Sequence, residues 1–241
     1  MTAQILTKLT KNAWFAIIAS VTIVMLSFVS FIMAEPQISH SQDATREFTI
    51  SQTITGEATF LVDPTNVTMD GNINGITGGS ATGTTQFVVQ SNSTGGHYVE
   101  INFGAAANTY PGQFAMVGDL TGDEGIYDYN YGTASSGEPT ANFWASSTAQ
   151  FGYHVISTTT SDTDVSFRSD GSTCNTAGSW VQDTCWATPS STAFRIVDRS
   201  TPAPDGATTT IKFKVDVPSG ASPVPAAETF TATATLSLYS Q

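Results

Sequence analysis

Residues 210–217, TIKFKVDV, set Ile211, Phe213, Val215 and Val217 against Lys212, Lys214 and Asp216. Strict apolar–polar alternation suits a β-strand buried on one face, because successive strand side chains point to opposite sides, whereas a helix repeats every 3.6 residues. The same period returns in EFTISQTI (47–54), YVEINF (98–103) and TFTATATLSL (229–238). Further strands are expected at 58–62, 84–90, 112–117, 149–157, 163–167 and 192–197. Clusters rich in Gly, Ser, Asn, Asp and Pro punctuate them, among them DGNINGITGGSATG, GTASSGEP and PSGASPVP. Composition points the same way. Past residue 34 the only leucines are Leu61, Leu120, Leu236 and Leu238, the only lysines Lys212 and Lys214, while the whole chain holds 38 threonines. A chain so poor in helix formers is expected to be all-β, an antiparallel β-sandwich of immunoglobulin-like or fimbrial-like type.

One stretch breaks this pattern. Lys8 and Lys11 precede AWFAIIASVTIVMLSFVSFIMA, an uncharged apolar run that ends at Ala34. Residues 1–34 therefore read as a secretory signal peptide, or as an uncleaved signal anchor, since the run is long enough to cross a bilayer. Residues 35–45 form a spacer, and 46–241 the β domain, with a candidate division near 132–140. Membrane contact is expected only through the N-terminal helix. Export also explains why cysteine occurs only twice. Cys174 and Cys185 would lie in an oxidising compartment, and ten intervening residues match no zinc spacing, so a disulfide across a long loop is expected.

Beyond residue 34, six basic residues face 20 acidic ones. Nucleic acids and anionic membrane surfaces are bound by cationic patches, so neither is expected as a partner. Asn66-Val67-Thr68 and Asn92-Ser93-Thr94 are glycosylation sequons, meaningful where a host modifies exported asparagine.

The stretches FTISQTITGEATFLV, GGSATGTTQFVVQSNSTGGHYVEINF and ETFTATATLSL resemble secreted bacterial envelope proteins of the WxL-type and the coat- or fimbria-type pilus subunits. The similarity rests on Thr85, Phe87, Val89, Ser91, Asn92, Gly96, Tyr98, Val99 and Ile101, then on Phe230, Thr231, Thr233, Thr235 and Leu236. It departs from the WxL pattern, because Trp144, Trp180 and Trp186 are followed two residues later by Ser146, Gln182 and Thr188. Wall binding through that motif is therefore not carried over. The resemblance implies a structural or adhesive cell-surface protein, with copies of itself or other envelope proteins as partners and no catalytic residues.

Three candidate sites remain. Asp119, Thr121, Asp123 and Asp128 alternate as Ca²⁺ ligands do in an oxygen-ligand loop, although Glu124 and Asn130 replace the turn glycine and the bidentate acid. An acidic surface loop accounts for the same residues, and no other cofactor is expected. Tyr127, Tyr129, Trp144, Trp180 and Trp186 lie in loop-rich segments, where rings stack on glycans, anchor protein partners or roof the sheets. A secreted hydrolase would need an active site that no motif reveals. Finally, the alternating strand at 47–54 either pairs within its own sheet, which is the expectation, or adds to a neighbour's open edge.

Overall fold

The computed structural model describes residues 2–33, 49–104, 115–120, 125–130, 138–141, 143–176, 181 and 183–241. Two compact units are present, Met1–Gln52 and Thr53–Gln241. The first contains helix α1 (Thr2–Met33). Its segment Ala13–Ser30 is long and apolar enough to cross a membrane. Two hydroxyls within that segment are satisfied inside the helix: Thr22 donates to the Ile18 carbonyl and Ser27 to the Ile23 carbonyl. Internal satisfaction of this kind suits an apolar surround. The spacer 35–45 lies outside the described residues.

The second unit is built from strands β1 (Ala58–Val62), β2 (Gly79–Ser91), β3 (His97–Phe103), β4 (Met116–Gly118), β5 (Gly125–Asp128), β6 (Thr140–Ala141), β7 (Gln150–Ser157), β8 (Cys185–Trp186), β9 (Phe194–Arg199), β10 (Ala203–Val217), β11 (Phe230–Ala232) and β12 (Ala234–Ser240). A mixed seven-stranded sheet runs β1-β2-β10-β7-β5-β4-β11, a three-stranded antiparallel sheet runs β12-β3-β9, and β6 pairs with β8. The seven-stranded sheet is mixed because β5 and β7 run parallel. That pairing joins the stretches on either side of 132–140 in one sheet.

Alternation fixes which side chains meet. β10 lies between β2 and β7, with Ile211 opposite both Thr85 and Val155. Its Ile211, Phe213 and Val215 join Phe87 and Val89 of β2 and Phe151, Tyr153 and Val155 of β7 in one buried cluster. Val99, Ile101 and Phe103 of β3 and Ile196 and Val197 of β9 complete it from the other sheet. Phe103 bridges the two, with its ring centroid 6.0 Å from Phe151 and 5.3 Å from Tyr153. Each fully buried ring or branched chain contributes roughly 1.5–3 kcal/mol of transfer free energy, so this cluster dominates the stability of the unit.

The segment after β1 extends this core. Thr65 N–H donates to Thr85 Oγ1, and Asp70 N–H to the Thr82 carbonyl. A Cβ on Gly83 would meet Val67 Cγ1 at 2.4 Å, so a glycine is what lets this segment lie down on β2.

The parallel β5–β7 pair departs from the expected antiparallel arrangement, and the fold departs from expectation in three further places. Residues 49–57 join no strand. Pairing with β2 begins only at Ala58, opposite Ser91, and Asn92 engages the preceding turn with its side chain, its Oδ1 accepting from Glu57 N–H at 2.7 Å. Residues 163–167 form no strand either. Val165–Phe167 is a 3₁₀ turn, because the Asp164 carboxylate accepts from Ser166 N–H and holds the backbone in a cap. The stretch 229–238, read as one strand, is two. β11 pairs with β4 and β12 with β3, so the chain changes sheets at Thr233.

Candidate functional site

The rings that the sequence places in loops gather beside β7. Every residue of β7 except Ile156 is buried, so both of its faces are covered. Phe151, Tyr153 and Val155 face the main core, which leaves Gly152 and His154 on the opposite side. A Cβ on Gly152 would lie 2.8 Å from Tyr129 Cβ and 3.2 Å from the Ala187 carbonyl oxygen, so the missing side chain is what admits Tyr129. Ala187 and Tyr153 exchange backbone hydrogen bonds of 2.7 and 3.2 Å, which seat the segment containing β8 along β7.

On this platform the rings pack in series. Tyr129 and Trp144 centroids are 4.7 Å apart, Trp144 and Trp186 5.3 Å, and His154 and Trp186 5.8 Å. Lys214 Nζ sits 4.2 Å from the centre of the Trp144 ring, a cation–π contact. The polar edges are satisfied as well. Tyr129 Oη accepts from Phe143 N–H at 2.5 Å and donates to the Thr140 carbonyl at 3.2 Å. Trp186 Nε1–H donates to the Asp183 carbonyl. Lys212 Nζ reaches both Asp183 carboxylate oxygens at 2.8 Å. Burial raises the Tyr129 phenol above its ordinary pKa and lowers that of His154, the latter opposed by a hydrogen bond to the Cys185 carbonyl.

The expected disulfide closes this assembly. Cys174 and Cys185 are bonded, with Cα atoms 5.8 Å apart, and Cys185 is fully buried next to Trp186. The bridge ties the loop ahead of β8 to the platform and holds the ring series in register.

Among the candidate contact residues, Tyr129 and Trp186 are core side chains here, with relative exposures of 0% and 2%. Trp144 is half-buried, with its ring between other rings and Lys214. Tyr127 is half-buried on β5. Trp180 lies outside the described residues. The ring that meets solvent in this region is Phe143, 61% exposed. Lys214, His154 and Asp183 belong to the cluster but carry no sequence signal for it, since alternation shows only that Lys212 and Lys214 oppose the core-facing set.

Of the four candidate Ca²⁺ ligands, Asp119 and Asp128 fall among the described residues. Asp128 is on the buried side of β5 beside Ile126, where its Oδ1 accepts from Ala115 N–H at 2.8 Å. Burial pushes its carboxyl pKa up to about 7. Asp119 accepts from Thr231 Oγ1–H at 2.7 Å. Thr121 and Asp123 lie outside the described residues. Asp128 itself belongs to a β-strand. Among the described residues, no group of three or more His, Cys, Asp or Glu side chains is arranged to hold a metal ion.

The two histidines of the β unit are both buried. His97 on β3 lies near the Arg199–Asp162 ion pair, and its Nδ1 has no hydrogen-bond partner among the described residues. Desolvation and the Arg199 charge lower its pKa. No family model matches the chain, and neither a curated protein nor a solved structure does.

Proposed function

We propose that this chain is an exported, non-catalytic structural or adhesive protein of the cell surface, its two main sheets forming an immunoglobulin-like or fimbrial-like sandwich. In this reading it assembles laterally with copies of itself or with other envelope proteins by edge-strand pairing. The observation that carries it is the segment before β1. FTISQTI has strand alternation, yet residues 49–57 belong to no sheet and Ile50 and Ile54 are each 83% exposed. Apolar side chains alternating along an extended segment are the form in which one chain adds to the sheet edge of another, with backbone hydrogen bonds supplying affinity and alternate side chains filling pockets. Acceptor edges exist, since β12 and β9 end the three-stranded sheet among the described strands.

Export is supported by the apolar N-terminal helix and by the disulfide. The non-catalytic reading draws on the burial of His97 and His154, which keeps both imidazoles from solvent. Glycan binding through loop aromatics draws less support, because Tyr129 and Trp186 are buried and Trp144 already packs against both rings and Lys214. Electron microscopy of intact cells beside the purified exported protein tests the proposal. Filaments or ordered arrays in either are expected, and monomeric particles in both would overturn it.

A further inference from the structure

The two sequons share an exposed Asn and an exposed Thr but differ in whether the carboxamide is bonded, and from that contrast we infer that Asn66 is an N-glycan acceptor of the exported protein while Asn92 is a structural residue that carries no glycan. An acceptor asparagine must offer its carboxamide nitrogen to a transferase, with the hydroxyl two residues later presented on the same side. In the segment that crosses β2, residues 66–69 alternate exposed, half-buried, exposed, half-buried. Val67 is turned toward Gly83 and Met69 packs on the core. Asn66 and Thr68 therefore share the solvent side. Among the described residues the Asn66 carboxamide has no hydrogen-bond partner.

Asn92 is also exposed, but its amide is already used. Oδ1 accepts from Glu57 N–H at 2.7 Å, Nδ2 donates to the Thr55 carbonyl at 3.3 Å, and its own N–H donates to the Glu57 carbonyl at 3.2 Å. Thr94 is exposed like Thr68, but the intervening Ser93 is buried, and its hydroxyl donates to the Gln241 carbonyl oxygen. A sugar on Asn92 Nδ2 would stand where residues 55–57 are held. A glycan on Asn66 would displace nothing.

The donor is an oligosaccharide carried on a polyprenyl phosphate or diphosphate. Asn66 Nδ2 bonds to the anomeric carbon as the sugar–phosphate C–O bond breaks. The lipid phosphate leaves with the bonding pair and one amide proton is released, with no change of oxidation state. The chemistry takes place after export, so this inference rests on that part of the proposed function.

Intact-mass and glycopeptide analysis of the protein recovered from its own cells, combined with thiol labelling, tests it. Oxidised protein with a glycan on Asn66 and bare Asn92 is expected. N66Q and T68A should each lose that mass while leaving the thermal midpoint within a degree or two of the sugar-free parent. Oxidised, exported protein with bare Asn66, or with a glycan on Asn92, would overturn the inference and leave export standing. Cytosolic protein with two free thiols would overturn both.

Discussion

His154 Nδ1 lies 2.7 Å from the carbonyl oxygen of Cys185. A carbonyl only accepts, so Nδ1 carries the proton, and the bond fixes the orientation of the buried ring. One half of the disulfide is thus fastened to β7 through its backbone, while its sulfur fastens the loop at Cys174. The ring series Tyr129–Trp144–Trp186 depends on both attachments, because Trp186 directly follows Cys185.

Replacing Cys174 and Cys185 together by Ser should therefore cost stability without changing the strand topology. Releasing a loop of this size gives the unfolded chain about 3 kcal/mol of conformational entropy. For a unit of this length that lowers Tm by roughly 6–12 °C. Calorimetry of the oxidised wild type against the double variant, with tryptophan fluorescence reporting the Trp144–Trp186 packing, checks it. An unchanged Tm would mean that the ring series holds the loop without the bridge.

Stability should respond to pH from two directions. Folding raises the Asp128 pKa from 3.8 to about 7, so between these values the folded chain keeps a proton that the unfolded chain releases. Stability from this group falls as pH rises across that window, by on the order of 4 kcal/mol in total. His97 and His154 act oppositely. Their pKa values are lowered from 6.5, so the stability tied to their neutral forms is complete above 6.5 and is lost as pH falls below it. Asp128→Asn keeps an oxygen for Ala115 N–H and cannot ionise. Denaturant titrations from pH 4 to 8 should show the variant gaining stability relative to the wild type as pH rises, and more stable than it at pH 8. Parallel curves for the two proteins would place the titration elsewhere.

Much of this architecture is legible in residue order, and the remainder is not for identifiable reasons. TIKFKVDV and YVEINF read correctly because each alternates over a strand buried on one side, so local pattern and tertiary environment agree. TFTATATLSL misleads because its alternation continues unbroken through Thr233, where the chain changes sheets, and periodicity carries no information about which neighbour a strand takes. FTISQTI misleads in the other direction: it has the pattern of a strand, but the β2 edge is occupied from Ala58 onward by β1. β5 lies within GDLTGDEGIYDYN, where Asp and Gly suggest a turn, and its short buried side, Ile126 and Asp128, is too brief to show a period. Cys174 and Cys185 were readable as a pair from number and compartment alone. The burial of Tyr129 and Trp186 was not, because it depends on Gly152, which leaves room for Tyr129 from a distant part of the chain.

Gly152→Ala should be disproportionately costly for one added methyl. The new Cβ would sit 2.8 Å from Tyr129 Cβ and 3.2 Å from a backbone carbonyl oxygen, and neither is the movable end of a side chain. Overpacking of this kind costs about 1–3 kcal/mol. Gly171→Ala is the matched control, since nothing lies within 4 Å of a Cβ there; its φ of +101° adds only local backbone strain. Chemical denaturation of the two variants, with near-ultraviolet circular dichroism following the ring series, should show loss of aromatic signal for Gly152→Ala alone. Equal behaviour would mean that Tyr129 can shift without disturbing Trp144.

The exposed alternation before β1 gives the most direct test of assembly. Ile50→Asp and Ile54→Asp together place two charges where an acceptor sheet would bury apolar chains. Because both side chains are 83% exposed in the isolated chain, the thermal midpoint of the monomer should move by less than about 0.5 kcal/mol equivalent. Assembly should instead be abolished, since burying an unpaired carboxylate costs several kcal/mol at each position. Sedimentation of the exported protein separates the outcomes. Large species in the wild type and monomers of unchanged stability in the variant place the contact at this segment. If the variant unfolds at lower temperature and assembly persists, the segment packs at home and the lateral contact lies on another edge.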